Sequence, residues 1–562
     1  MYSESGSHNF SLIYGEKMQK KTEKEPRIIV GVIILMFSNI IVKVIGVLFK
    51  IPLHNLLSDI GMSYFNTAYS IFTTLYLIST AGLPSAISIM VSKARAEGKN
   101  REVKRIFYTS LALFFVVGII GTSIMLFGAG GLADIMGTPD AASAIMAISP
   151  TLFLICISSS VRGYFQGHQN MLPTAISEVI ESLGKFAIGV LFGSMAVKNG
   201  KSLEICAAYA ILGVAVGEAA GMLFLLCAKF LHKKDANPDF PESSREVSSP
   251  AKILKNLLII SIPIMLSAVA LNLTSTVDMF TIVNVLSRRI PKEAAEEAYG
   301  NYTTLAVTLF HLPSALIQPI STSLTPAIAA ARAANNEKKT AGTLGTSLKM
   351  TVMLSIPCAV GLAILSKPIL GLLFSNADSV EKAAPLLTII APAVFFSAIL
   401  TVTSAALQAC GFQRKPIISM TCGIAVKATV STLLMSSEKI GILGAPIGTL
   451  AGYFVMATLN FIFVLKYVGV KINILKLGAK PLLASALSSC VTVGVYRLIA
   501  NANRPNVATV VSVISTAIVY FILLFVLKEF TKNDIMILPK GEKIYSLLCK
   551  AKLMKKEDEQ IQ

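Results

Sequence analysis

Three ionisable residues, Glu178, Glu181 and Lys185, stand three and four apart inside an apolar run that opens at Leu172. At that spacing they share one face of a helix. In hydrocarbon such a face is expensive. One charged side chain at mid-bilayer costs about 2.5–3.5 kcal/mol on insertion scales, so charges there turn toward a protein interior or a water-filled cavity. Other apolar runs carry comparable stripes: Asn39, Lys43, Gly46 and Lys50; Asn272, Ser275 and Asp278; Thr304, Thr308, His311 and Gln318; Ser419 and Lys427. The chemistry these types support is electrostatic. Lysines attract anionic groups as point charges, and carboxylates tune the field or hold a cation. Lys43, Lys50, Lys185, Lys427 and His311 are therefore candidate cavity cations for substrate. Glu178, Glu181 and Asp278 are candidate cavity acids or ion-coupling groups. Asn39, Asn272, Thr308 and Gln318 are candidate polar lining groups.

Structural roles compete with these at several positions. Glu181 and Lys185 have the favourable i,i+4 orientation and can neutralise one another. Lys50, near the external end of its run, can snorkel to the headgroups, which Lys43 near the middle does less easily. His311 can be a packing residue, and Asp278 can pair with a neighbouring helix instead of binding a cation. Lys427 takes nearly the place in the second half of the chain that Lys185 has in the first.

The elements that must position these residues are membrane helices. The chain has 562 residues, is 54% hydrophobic and 14% charged, and has a mean hydropathy of +0.69. Apolar runs near the ~20 residues needed to cross a bilayer recur along it, and no series of alternating strands points to a barrel. The fold class expected is an all-α polytopic membrane protein of about 14 transmembrane helices. The first two runs are 28–51 and 62–91, the seventh to tenth are 253–287, 298–331, 347–373 and 382–408, and the last is 506–528. With both termini cytoplasmic, cytoplasmic segments hold about 36 Lys and Arg and external loops about 9, the asymmetry expected of inward-positive topology. The net charge of +19 is thereby explained without nucleic acid as a partner.

The polar stretch His232–Lys252 reads as a cytoplasmic linker. The expected organisation is an N-terminal tail (1–27), an N-lobe (28–230), the linker (231–252), a C-lobe (253–466), two additional helices (467–528) and a basic cytoplasmic tail (529–562). A weak repeat supports pseudo-symmetric six-helix lobes: GLPSAISIMVSKARA (Gly82–Ala96) resembles PISTSLTPAIAAARA (Pro319–Ala333), and GHQNMLP (Gly167–Pro173) resembles GFQRKP (Gly411–Pro416). Duplicated halves of this kind are common in transporters. Met1–Lys17 reads as an extension before a second possible start at Met18, with no cleavable leader. The density of proline at Pro313, Pro319 and Pro326 predicts a bend in the eighth segment; Pro392 lies in the tenth. The eight cysteines show no CxxC or Cys/His spacing, so no metal site or disulfide framework is expected. Walker A, Rossmann and HExxH patterns are absent.

The runs GMSYFNTAYSIFTTLYLISTAGLPSAISIMVSKARAEGK (Gly61–Lys99) and RGYFQGHQNMLPTAISEVIE (Arg162–Glu181) resemble the stage V sporulation protein B group of polysaccharide and lipid II flippases. That group lies in the multidrug/oligosaccharidyl-lipid/polysaccharide exporter superfamily, beside the MurJ-type flippases. The resemblance implies two six-helix lobes, two extra C-terminal helices forming a hydrophobic groove, and export of undecaprenyl-pyrophosphate-linked sugars across a bacterial cytoplasmic membrane. It implies a basic central cavity. KVIGVLFK matches the family's basic-x-x-Gly pattern, so Lys43 carries over as a cavity cation, with Lys50 close to a second. The helix 2 arginines of the MurJ type are missing from TTLYLISTAG, and the helix 8 arginine falls at Thr308. A retained cationic cavity must then be built otherwise, with Lys185, Lys427 or His311.

The function expected is a flippase working by alternating access, not an enzyme, for cell-wall, spore-cortex or polysaccharide synthesis. Its expected partners are a lipid-linked oligosaccharide, membrane lipids and cell-wall synthesis enzymes, with no cofactor beyond a coupling Na+ or H+. The alternatives are a drug/cation antiporter of the same superfamily, a membrane-embedded glycan-modifying enzyme, for which His54 is the only histidine in the external loops, and a scaffold without transport activity.

Overall fold

Apolar runs of this length leave the backbone one way to satisfy its hydrogen bonds in lipid, which is to spend them inside helices. The computed structural model describes residues 7–80, 82–168, 170–231, 248–333, 336–469, 474–500, 505–527 and 529, with side chains described from residue 34 onward except at 36, 96, 263–264, 266–268, 270–273, 322–323, 326, 329–330, 333 and 474–476. Most of the expected linker and terminal tails therefore lie outside the described residues, as does the side chain of Asn272. Every regular element among the described residues is helical: α1 (Ser7–Thr80), α2 (Leu83–Ala96), α3 (Asn100–Phe127), α4 (Ala129–Ile135), α5 (Ala142–Gly167), α6 (Leu172–Lys198), α7 (Leu203–Leu231), α8 (Pro250–Leu286), α9 (Lys292–Asn301), α10 (Val307–His311), α11 (Ser314–Ala333), α12 (Glu337–Ile364), α13 (Ser366–Leu373), α14 (Ala377–Ile390), α15 (Ala393–Ala409), α16 (Arg414–Met435), α17 (Gly444–Phe463), α18 (Ile474–Ala500) and α19 (Pro505–Val526). The protein is an all-α, multi-span membrane protein.

Ten helices among the described residues are long and apolar enough to cross a bilayer, or up to twelve if each of two bent pairs is one span. The difference from fourteen has local causes. The first two expected segments fall in one continuous stretch, Phe37–Arg95, and part of α8 lies outside the residues whose side chains are described. Both bent pairs break at a proline. Lys292–His311 meets Ser314–Ser321 at 45° across Pro313, and Ala377–Ile390 meets Ala393–Ala409 at 48° across Pro392. The ring removes one backbone donor and crowds the preceding turn. The bend expected around Pro313 is present.

α1 is interrupted at Ser58, whose φ of 60° and ψ of −179° fall where only glycine is comfortable. Side chains over-determine the break. Asp59 accepts from the Ser379 hydroxyl at 2.6 Å, and its other oxygen lies 2.6 Å from His54 Nε2, on the far side of Ser58.

The chain forms two compact units: residues 1–49, 71–133 and 140–269, and residues 50–70, 134–139 and 270–562. In the first, Ile87, Val91, Phe107, Phe114, Tyr164 and Phe165 anchor a core between α2, α3 and α5. In the second, Leu344, Leu348, Val402, Leu407 and Met456 join α12, α15 and α17. The second unit also contains α18 and α19, where the Tyr520 hydroxyl bonds the Met353 carbonyl of α12 at 2.7 Å.

Each unit holds a helix pair packed backbone to backbone through three glycines at every fourth position. Gly213, Gly217 and Gly221 of α7 face α6; a Cβ on Gly217 would lie 2.5 Å from the Glu181 carbonyl oxygen. Gly444, Gly448 and Gly452 of α17 face α16; a Cβ on Gly452 would lie 3.0 Å from the Gly423 carbonyl oxygen and 2.8 Å from Lys427 Cβ. Small residues at this spacing are how membrane helices approach closely. Using it on corresponding helices makes the halves alike in packing as well as in sequence.

Candidate functional site

The stripe on α1 carries Asn39, exposed, and Lys43, half-buried, in the first unit. Lys50 stands two turns beyond Lys43 and belongs to the second unit. There the Lys50 ammonium donates to the Thr308 hydroxyl at 2.9 Å and reaches the Thr303 carbonyl at 3.5 Å. Thr303 lies within a single π-helical turn, Tyr302–Ala306, between α9 and α10, and Thr308 follows it in α10. The widened turn displaces carbonyls from the regular ladder, an arrangement frequent at functional sites. Asn66 braces it, donating to the Thr303 and Thr304 hydroxyls at 3.0 and 2.8 Å. Two expected site residues, Lys50 and Thr308, are thus in direct contact. Gln318 and His311 are exposed; the His311 ring lies edge-on to Phe310 at 4.8 Å, so it packs at the end of α10.

For Lys427 the geometry differs from that of a cavity-facing cation. Its side chain is 1% exposed, and Nζ donates to Asp278 Oδ2 at 2.8 Å and to the Thr274 carbonyl at 2.7 Å. The two expected site residues close on each other because α8 presents its carboxylate at the depth of the lysine. The pairing alternative for Asp278 is present in this geometry.

The acidic stripe of α6 also has a partner outside the expected set. Glu181 Oε2 accepts from Arg162 Nη2 at 3.1 Å, and the same nitrogen lies 4.0 Å from Glu218 Oε1. Ser158 donates to Glu218 Oε1 at 2.6 Å. Glu181 is thus engaged by α5 through Arg162, and the Lys185 ammonium sits 5.3 Å from the centroid of the Phe49 ring. Glu178, part-buried on the same face, has one carboxylate oxygen without a hydrogen-bond partner. Arg162 lies outside the expected stripes because the fourth apolar run, 141–161, stops one residue short of it, whereas α5 continues to Gly167 and buries it. Glu218 had a readable signal, a lone acid in the middle of the 29-residue apolar helix α7.

His54, Asp59 and Ser379 form a second buried polar group, with Asp59 at the centre. Ser379 bonds the acid and not the histidine. The order differs from a hydrolase triad, in which the base stands between nucleophile and acid. No group of three or more metal-ligating residues occurs among the described residues.

A family model for polysaccharide biosynthesis proteins matches residues 28–332, more than half of the chain. The chain belongs to the polysaccharide biosynthesis protein family. A second model, MatE, matches residues 263–433. Among curated proteins, stage V sporulation protein B of Bacillus subtilis (strain 168) is 25% identical over 91% of this chain and 97% of its own length. The lipid II flippase MurJ of the same organism is 25% identical over 79% of this chain and 84% of its own. Among solved structures, a lipid II flippase MurJ in an inward closed conformation aligns with a TM-score of 0.64 at 18% identity, over 89% of this chain and 99% of that one. The likeness shows that the chain shares the fold of that flippase.

Proposed function

We propose that this protein is a flippase that carries pyrophosphate-linked, lipid-anchored sugars across the bacterial cytoplasmic membrane by alternating access, without changing them chemically. Family membership supports the substrate class. The observation that carries the reading is Lys50, an ammonium held on an apolar helix by Thr308 and a π-helical turn, two turns from Lys43. A lipid pyrophosphate offers concentrated negative charge, and an ammonium about 4 Å away at an effective dielectric near 20 contributes about 4 kcal/mol of Coulomb attraction. Lys50 binds the head group in this account, with Thr308 positioning it. The substrate serves wall, spore-cortex or capsular polymer synthesis, so enzymes of that synthesis are the expected neighbours. Both termini lie in the cytoplasm.

The MatE match to residues 263–433 favours a second reading, export of cationic drugs. Proteoliposomes separate the two. Purified protein is expected to translocate a fluorescent polyprenyl-pyrophosphate sugar and to leave a lipophilic cationic dye where it is. Dye transport without lipid translocation would establish the antiporter reading in place of the flippase.

A further inference from the structure

An open cavity of about 530 Å3 lies within the first unit, where the end of α2, the start of α3 and the start of α8 meet. Its lining changes character along the helices. Lys93, Lys99, Lys252, Glu97 and Glu102 line it toward the helix ends, with Asn256 and Ser248 beside them. Ile89, Met90, Ile106, Ile259 and Ile260 line it farther in, and Ile89 and Ile259 are exposed. The step from Lys252 to Ile259 along α8 is about 10 Å of helical rise. The same helices thus offer cations at a membrane boundary and apolar surface a turn or two deeper. The charges do not cancel. Lys99 pairs with Glu97 at 2.7 Å. Lys93 and Lys252, both exposed, form no ion pair among the described residues, although Lys93 stands within electrostatic reach of Glu97. Glu102 is the other acid. Three ammonium groups against two carboxylates leave one positive charge, the complement of one phosphodiester. Arg105, outside the lining, donates to the Ser248 carbonyl at 3.4 Å and adds a cation nearby. α3 begins at the rim, and the backbone donors of a helix N-terminus favour negative charge.

We propose that this cavity binds one anionic glycerophospholipid, its phosphodiester between Lys93 and Lys252 and its acyl chains over Ile89 and Ile259. Basic pockets between membrane helices at a bilayer boundary hold phospholipid head groups in this way. A soluble phosphate compound would use the lysines and gain nothing from the isoleucines. A zwitterionic head group would bring its own cation against Lys93 and Lys252. Lys50 and Thr308 belong to the other unit, so the lipid site holds whether or not the protein is a flippase.

A phosphatidylglycerol with a photoreactive diazirine in one acyl chain, added to the full chain in phosphatidylcholine nanodiscs, reports the site through the peptides it labels. Labelling is expected on peptides covering 89–106 and 248–260. Unlabelled phosphatidylglycerol should displace it, and excess glycerol phosphate should not. Lys93→Glu with Lys252→Glu should lower it about tenfold. Lys255→Glu, at an exposed lysine of α8 outside the lining, should leave it unchanged. Gel filtration checks that each variant is folded; if the double reversal aggregates, Lys93→Gln with Lys252→Gln is read in its place and should also lower labelling. Labelling spread evenly over the membrane helices, labelling that survives removal of both lysine charges, or an equal loss in Lys255→Glu would overturn the site. A phosphatidylcholine probe that labels the same peptides equally well would overturn its preference for an anionic lipid. Displacement by glycerol phosphate would assign the lysines to a soluble phosphate compound and overturn the lipid as occupant.

Discussion

Lys427 and Asp278 keep each other out of both water and lipid, and the energy of that arrangement is asymmetric. Breaking a buried pair by removing one partner strands a charge and costs about 3–5 kcal/mol, whereas replacing both by apolar groups of similar size is often neutral. Asp278→Ala should therefore sharply lower the thermal midpoint of the purified protein, and Asp278→Leu with Lys427→Met should recover most of the loss. A double variant that folds and still flips would assign the pair to architecture; one that folds and does not flip would return it to the transport pathway. Ser58 offers the opposite case. Its backbone sits where a side chain costs on the order of 1–3 kcal/mol, so Ser58→Gly should raise the midpoint. A lower midpoint would mean that the Ser58 side chain supplies more than its backbone strain costs. Periodicity made Lys50, Thr308, Glu181, Asp278 and Lys427 visible as charges and polar groups that need company. It could not say whose. The pairing of Asp278 with Lys427 joins residues 149 apart, and only the packing of α8 on α16 brings them to one depth.

At the scale of elements, the close helix pairs depend on glycine as an absence of volume. A Cβ at Gly217 would meet the Glu181 carbonyl, and one at Gly448 would sit 3.0 Å from the Lys427 carbonyl and nearer still to Ser431. Backbone cannot yield as a flexible side chain can. Gly217→Leu and Gly448→Leu should each cost at least the 1–3 kcal/mol typical of overpacking. The loss would be seen as lower yield of monodisperse protein, while leucine at Gly130, which has open space around it, should be tolerated. Equal tolerance at all three positions would contradict backbone-to-backbone packing. Breaks set by proline chemistry were legible beforehand, because the missing donor acts within one turn. The break at Ser58 was not. It is held by Ser379, more than 300 residues away, and no local pattern marks it. The end of α5 was misplaced for a related reason: an arginine closing an apolar run looks like a loop residue until two acids on neighbouring helices receive it.

At the scale of the molecule, composition and charge asymmetry were enough for a polytopic helical membrane protein, and conserving the count of spans is harder because bent and short helices blur it. The proposed topology puts both termini inside. Single cysteines placed in the 232–247 segment of a chain otherwise free of cysteine should resist a membrane-impermeant thiol reagent in intact cells and react in inverted vesicles; labelling in intact cells would reverse the orientation. The central claim is that basic residues on α1 draw a lipid-linked anion through the protein. It is tested most directly by the rate at which proteoliposomes translocate a polyprenyl-pyrophosphate sugar, compared between wild type and Lys50→Glu. The expected result is protein-dependent flipping that falls at least tenfold on charge reversal, about 1.4 kcal/mol of lost stabilisation, with the fold intact by gel filtration. Flipping that continues at the wild-type rate would contradict the account.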